Sequence, residues 1–240
     1  MQRKDTKPLY LQMKEYLLGQ IQQMNPGENQ LEPENRLSKK LGMSRETVRK
    51  AMSLLIQEGV ITRWHGKGNF GHPAVSNLVM RVDENSDFRR LLRNAGYIVK
   101  TERSESILQS PSKELLRRIP EAADEEILSY ELQFFADEKL AIHVNVELFN
   151  KFVKCKPESG VYTELITDEL KKYCDVASAY STAWQRAGIS PEISSRFGIN
   201  KETPILIWDE IYHDLNDYKI GYVEIYFNPE IMDLSMKLSF

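Results

Sequence analysis

Residues 41–70, LGMSRETVRKAMSLLIQEGVITRWHGKGNF, decide how the front of this chain folds and what it can do. Ser44 suits a helix N-cap and Gly59 a stop, so a helix is expected between them. At about 100° per residue from Arg45, the side chains of Val48, Ala51, Met52 and Leu55 gather on one apolar stripe. Arg45 and Arg49 share the solvent edge with Glu46 and Ser53. Two guanidinium forks one turn apart at a helix start are spaced for neighbouring base pairs in a major groove, where arginine to guanine is the commonest specific contact. The free N–H groups of the first turn, with Thr47, suit a phosphate. VITRW and NFG then predict two short strands around HGKG, whose glycines permit positive φ. His65 and Lys67 project from a tip slim enough for a minor groove. Two arginines on an arbitrary helix are more often a solvated face. Here a preceding helix and a following hairpin complete a winged helix-turn-helix.

Upstream, PLYLQMKEYLLGQIQQM places Leu9, Met13, Leu17 and Ile21 at four-residue steps, which predicts an amphipathic helix ended by NPG. EPENRLSKKLG predicts a short helix from Pro33 with Leu37 and Leu41 inward and Gly42 as its stop. Charge follows the same division. The chain carries −3 overall, yet residues 1–72 hold 12 Lys and Arg against 7 Asp and Glu, which leaves 20 against 28 for the rest. A basic head on an acidic body fits a protein whose head alone meets a polyanion.

The 240 residues allow one large domain or two small ones. No apolar run is long enough to span a membrane and the first residues lack a signal-peptide core, so the expected location is the cytoplasm. Cys155 and Cys174 are too few and too far apart for a disulfide framework or a CxxC site, and are read as reduced structural thiols. With four histidines, at 65, 72, 143 and 213, no metal-ligand spacing and no catalytic constellation is visible, so neither a metal, a cofactor nor an enzyme activity is expected.

From Pro73 the pattern turns strand-rich. SDFRRLLRNAG reads as a helix, YIVKTERSESIL as strand, SPSKELLRRI as a short helix, and EEILSYELQFF-ADEK-LAIHVNVELF as a hairpin. VYTELITDELKKYC reads as one helix, VASAYSTAWQRA as a strand, SPEISSRFG as a helix, and PILIWDEIYH-DLNDYK-IGYVEIYF as a second hairpin. Hairpins interspersed with helices predict an α+β fold around a mainly antiparallel sheet.

The stretch PLYLQMKEYL…LEPENRLSKKLGMSRETVRKAMSLLIQEGVITRWHGKGNF resembles the DNA-binding domain of GntR-family transcription regulators. The resemblance implies base contacts from Arg45 and Arg49, and phosphate or supporting contacts from Ser44 and Thr47. It also implies wing insertion through His65, Gly66 and Lys67; Lys50 and Gly68 complete that candidate set. Where many members carry a third base-reading arginine, this chain has Asn35 followed by Arg36. Asparagine can read adenine, or Arg36 can supply the missing fork.

The rest, through FRRLLRNAG, FFADEKLAIHVNVELF and GYVEIYFNPEIMDL, resembles the UTRA effector-binding domain of the family's HutC branch. That implies a chorismate-lyase-like fold, a small-molecule effector and a homodimer on double-stranded operator DNA. The expected organisation is a DNA-binding head over 1–72, a linker over 73–83, and an effector-binding and dimerisation domain over 84–240. Two arginines that hold phosphate in sugar-phosphate-binding members fall here on Leu132 and Phe134. Their loss points to a less charged ligand, or to no response at all. Ser86, Arg89, His143, Tyr180, Glu224 and Tyr226 join them as candidates, with Asn145 and Trp184 beside them. Alternation puts His143, Asn145 and Glu147 on one strand face, which solvent alone could explain. The expected function is a transcription regulator, most simply a repressor, gated by a metabolite; the alternative is a DNA-binding or architectural protein with no effector.

Overall fold

The computed structural model describes residues 7–83, 87–163, 165–175 and 178–238. The chain divides into two compact units, residues 1–85 with 235–240, and residues 86–234.

In the first unit, helix α1 (Leu9–Gln22), α2 (Glu34–Leu41) and α3 (Arg45–Gln57) surround one core. Met13, Leu17 and Ile21 of α1 are buried there with Leu37, Val48, Ala51, Met52 and Leu55, so the periodicity reads correctly. Leu9 is the exception. It lies 58% exposed at the first position of α1, too early in the helix to reach the core. Gly42 closes α2 at φ 62°. Ser44 caps α3, its Oγ accepting from the Thr47 N–H at 3.0 Å. Strands β1 (Ile61–Trp64) and β2 (Gly68–Gly71) then form the wing, with Gln30 adding a bridge to Phe70.

The wing turn depends on glycine. Gly68 sits at φ 113°, and a Cβ there would stand 3.0 Å from Gln30 Nε2. Gly68→Ala is therefore expected to cost about 1–3 kcal/mol of head stability, measurable by thermal unfolding. An unchanged midpoint would show that the turn relaxes freely.

Within the predicted linker, Pro73–Ser76 form a helical turn, α4, against α1. Further on, the C-terminal segment pairs with the chain leaving the head. The Val82 N–H donates to the Ser235 carbonyl at 3.0 Å, and the Ser235 N–H to that of Met80 at 3.1 Å. Arg81, 7% exposed, donates from Nη1 to the Glu58 carbonyl at 2.9 Å, at the C-terminal end of α3.

The second unit is built on an antiparallel sheet. Its strands are β3 (Val99–Arg103), β4 (Ile107–Gln109), β5 (Ile127–Ala136), β6 (Lys139–Phe149), β7 (Gly160–Val161), β8 (Ser178–Gly188), β9 (Ile205–Asp214) and β10 (Lys219–Phe227). They run in the order β7-β3-β5-β6-β10-β9-β8, with β4 also on β5. Both predicted hairpins form; Asp137 and Glu138 turn the first at positive φ. Helices α5 (Phe88–Asn94), α6 (Lys113–Arg118), α7 (Ile166–Tyr173) and α8 (Pro191–Phe197) flank the sheet. One expectation needs correction. The helix read over VYTELITDELKKYC begins only at Ile166, because Gly160 and Val161 pair with Arg103 and Glu102 as an edge strand.

Register assigns the two faces of the sheet. Leu132, Val144 and Ile225 lie in one row, Phe134, Ile142 and Phe227 in the next, packed edge-on against Phe88 and Tyr162. The opposite face is polar. There Glu131, Asn145, Glu224, Asp209 and Trp184 form a straight row across five strands.

Candidate functional site

The head presents a compact polar edge. Arg45 and Arg49 are exposed on the outer side of α3, at the end where the Arg45 and Glu46 N–H groups have no intrahelical partner and Ser44 takes that of Thr47. Arg49 pairs with Glu46, a surface contact of the i, i+3 kind that is readily exchanged for another acceptor. Lys50 lies 3.9 Å over the Tyr10 ring, which steadies its ammonium at the same end. Asn35 and Arg36 are both exposed in the first turn of α2, so both side chains remain available.

The wing tip, His65 to Gly68, is exposed. Lys67 stacks its ammonium 4.4 Å over Trp64, itself 57% exposed. Sequence reading missed three residues that set this tip. Gln30 donates to the Lys67 carbonyl at 2.7 Å, Arg63 bridges Glu34 at 2.8 Å, and Trp64 shelters Lys67. Only Trp64 carried a signal, as a large aromatic beside a glycine-rich turn.

The body's candidates do not form a single group. Ser86 lies outside the described residues. Arg89 is engaged by Asp87, the α5 N-cap, at 3.0 Å, with its guanidinium 5.9 Å from the Tyr162 ring. Leu132 and Phe134 sit in the apolar core on the face next to Arg89. His143, Glu224 and Tyr226 are on the other face. Tyr180 is apart from both: it stacks on His213 at 4.7 Å near the end of β8 and donates to Asp217.

The polar face proves to be covered. His143 is 1% exposed, Glu147 4% and Glu224 2%. A solvated strand face is thereby replaced by a buried one, because α6 and α8 pack over it. Arg117 and Arg118 of α6 reach Asp209 at 3.1 and 2.6 Å, Arg186 reaches it at 3.3 Å, and the Tyr222 hydroxyl donates to it at 3.0 Å. Burial pushes the Asp209 carboxyl up, but Arg118, Tyr222 and Arg186 together outweigh it and hold the group below its ordinary range. Burial raises the carboxyls of Glu147 and Glu224, and lowers His143, which stays neutral beside Asn145 at 3.0 Å. Beside this network a cavity of about 680 Å³ opens among Ser112, Glu131, Asn145, Glu147, Tyr222 and Glu224.

Both cysteines are free, Cys155 exposed and Cys174 buried, and burial pushes the Cys174 thiol up to about 11. Among the described residues no group of three or more His, Cys, Asp and Glu is placed to hold a metal ion, and no helix is long and apolar enough to cross a membrane.

Comparison with known proteins separates the head from the body. Residues 9–70 match the family model of bacterial regulatory proteins, gntR family. The "Probable fructoselysine utilization operon transcriptional repressor" of Escherichia coli (strain K12) is 38% identical over 82 residues, 33% of this chain and 34% of that protein. The "Uncharacterized HTH-type transcriptional regulator YurK" of Bacillus subtilis (strain 168) is 36% identical over 83 residues, again 34% of each. This chain's match thus spans about a third of the length of these curated relatives. The fold extends further. The possible transcriptional regulator YydK from Bacillus subtilis superposes with a TM-score of 0.65 at 17% identity, over 97% of this chain and 100% of that one. PhnF from Mycobacterium smegmatis superposes with 0.53 at 13% identity, over 95% and 99%.

Proposed function

We propose that this chain, a member of the gntR family through its N-terminal domain, is a sequence-specific transcription regulator of the HutC branch. In this reading it is a homodimeric, cytoplasmic repressor with no enzyme activity, whose operator affinity is altered by a small molecule bound in the UTRA-like body. The observation that carries it is the joint exposure of Arg45 and Arg49 at the start of α3, within the segment that matches the family. Arg45 and Arg49 read bases, Ser44, Thr47 and Lys50 meet phosphate, and His65 to Gly68 enter the adjoining groove. Asn35 and Arg36 set the preference at the neighbouring corner. A dimer places two such heads on two half-sites.

An operator selected from a random duplex pool tests this reading. Its affinity is expected to fall with rising salt, by a slope of about −0.9 in log–log form for each phosphate neutralised. A flat response would remove the phosphate contacts from the account. Ligand gating is a population shift: a molecule that binds one arrangement of the dimer better than the other moves operator affinity by that difference. The ligand named for the Escherichia coli relative is not carried over, since the similarity covers a third of that protein.

A further inference from the structure

We infer that the cavity on the polar face of the body's sheet binds a small organic molecule carrying ammonium groups. This rests on the body being the ligand-binding part and gives its ligand a chemical class.

Six glutamates line the cavity: Glu105, Glu114, Glu131, Glu147, Glu192 and Glu224. Arg196 meets Glu131 at 2.7 Å and Glu192 at 3.2 Å, and Arg186 meets Glu224 at 2.7 Å. Glu105, Glu114 and Glu147 have no cationic partner among the described residues. The cavity lining thus carries more acid than base, which disfavours a phosphate or carboxylate ligand there.

Glu147 makes the argument more than a count of acids. It is 4% exposed, it lines the cavity, and Ser112 is its hydrogen-bond partner, with the N–H reaching Oε2 at 3.4 Å. A carboxylate so deeply buried is normally neutralised by a cation or held by several donors, since burial penalises the bare charge. Here Ser112 alone supplies the donors, through its N–H and its hydroxyl, no cation among the described residues faces the group, and its open side is the cavity. An ammonium entering there would meet Glu147 directly and come under the charge of Glu114, which acts on both Glu147 and Glu224.

A bare metal ion fits poorly, because these carboxylates do not close into a group of three around one point among the described residues. Separated carboxylates in a space of about 680 Å³ suit an extended amine with its charges on a carbon chain. The sequence-based expectation of a ligand less charged than a sugar phosphate gives way here to a ligand of opposite charge.

The test uses the full chain with putrescine, spermidine and L-lysine as probes, and 1,4-butanediol and succinate as controls. Calorimetry at about 0.3 M salt suppresses loose attraction to the acidic surface. At least one amine is expected to bind, with the diol and the diacid silent. Glu147→Gln and Glu114→Gln are expected to weaken that amine by roughly 10- to 100-fold, the scale of one charge-assisted contact, while the exposed Glu202→Gln leaves it unchanged. The thermal midpoint of E147Q at pH 7.5 is expected not to fall, because the substitution removes a charge that burial opposes. Binding of none of the amines, equal binding of the controls, or E147Q binding like the parent overturns the site. So does weaker dimerisation of E147Q and E114Q without amine binding, which would assign the carboxylates to a second copy. Operator affinity is read separately: amine binding that leaves it unmoved keeps this site and removes the gating reading, whereas intact operator binding with no amine binding removes this site alone.

Discussion

Alanine at both Arg45 and Arg49 is expected to weaken binding to the selected operator by roughly 2–6 kcal/mol, twice the range for one bidentate arginine–guanine pair. In affinity that is roughly 30- to 20,000-fold. Binding to random duplex should fall far less, because the remaining phosphate contacts are insensitive to sequence. Fluorescence anisotropy with operator and random competitors separates the two, and the ratio between them is the deciding quantity. The fold should survive. Both side chains are exposed, the stripe of Val48, Ala51, Met52 and Leu55 is untouched, and the lost Arg49–Glu46 pair is a surface contact. Equal losses on operator and random DNA would reduce the two arginines to general electrostatics. Each single variant should also relax preference at its own base pair.

The second large effect concerns the body. Asp209→Ala is expected to destabilise it by about 3–5 kcal/mol, the cost of breaking a buried ionic cluster from one side. The carboxylate is fully buried and serves Arg117, Arg118 and Arg186 together with the Tyr222 hydroxyl. Its removal leaves Arg186 with Glu224 and strands the hydroxyl of Tyr222. Urea unfolding followed by tryptophan fluorescence reads the loss, since Trp184 lies 4.6 Å from the Arg118 guanidinium and Trp208 stands beside Phe227. An unshifted midpoint would mean that the cluster adds nothing.

Acid behaviour follows from the directions of the shifts. Asp209 is lowered in the folded state, so its contribution is complete above the unfolded value of about 4 and disappears as pH falls through the folded one. Glu147 and Glu224 are raised, so theirs is complete below about 4.3 and disappears as pH rises through their folded values. Glu147 and Glu224 should therefore add stability as pH drops toward about 4.3, buried neutral His143 should remove it below about 6.5, and Asp209 should remove it below about 4. In D209A the fall below 4 should be shallower.

The head was legible because its information is local. A capping serine, a 3.6-residue stripe, and glycines at a stop and a wing turn lie within thirty residues, and each local choice agrees with the fold. Two local readings failed through long-range contact. Val161 left a helix to pair, with Gly160, against β3, and Leu9 began its helix one turn too early for burial. In the body, hairpins and helices were readable from alternation and caps, yet the spatial grouping of the candidate side chains was not. Register alone separates Leu132 and Phe134 from Glu224 and Tyr226, so a list drawn by position mixed two faces. Arg117 and Arg118 read as ordinary helix charges, since their partner Asp209 lies about ninety residues downstream. Nothing in a strand's alternation tells whether water or α6 covers its polar side.

Ser235 answers Val79, Met80 and Val82 across more than 150 positions of sequence. Anyone wishing to study operator recognition on an excised piece should note what a cut after residue 85 discards. The fragment would keep every proposed contact to DNA and still lose the short return segment beside Arg81. Grafting residues 235–240 onto such a piece through a flexible bridge would restore it, and the same return path warns against appending bulky tags at the far end.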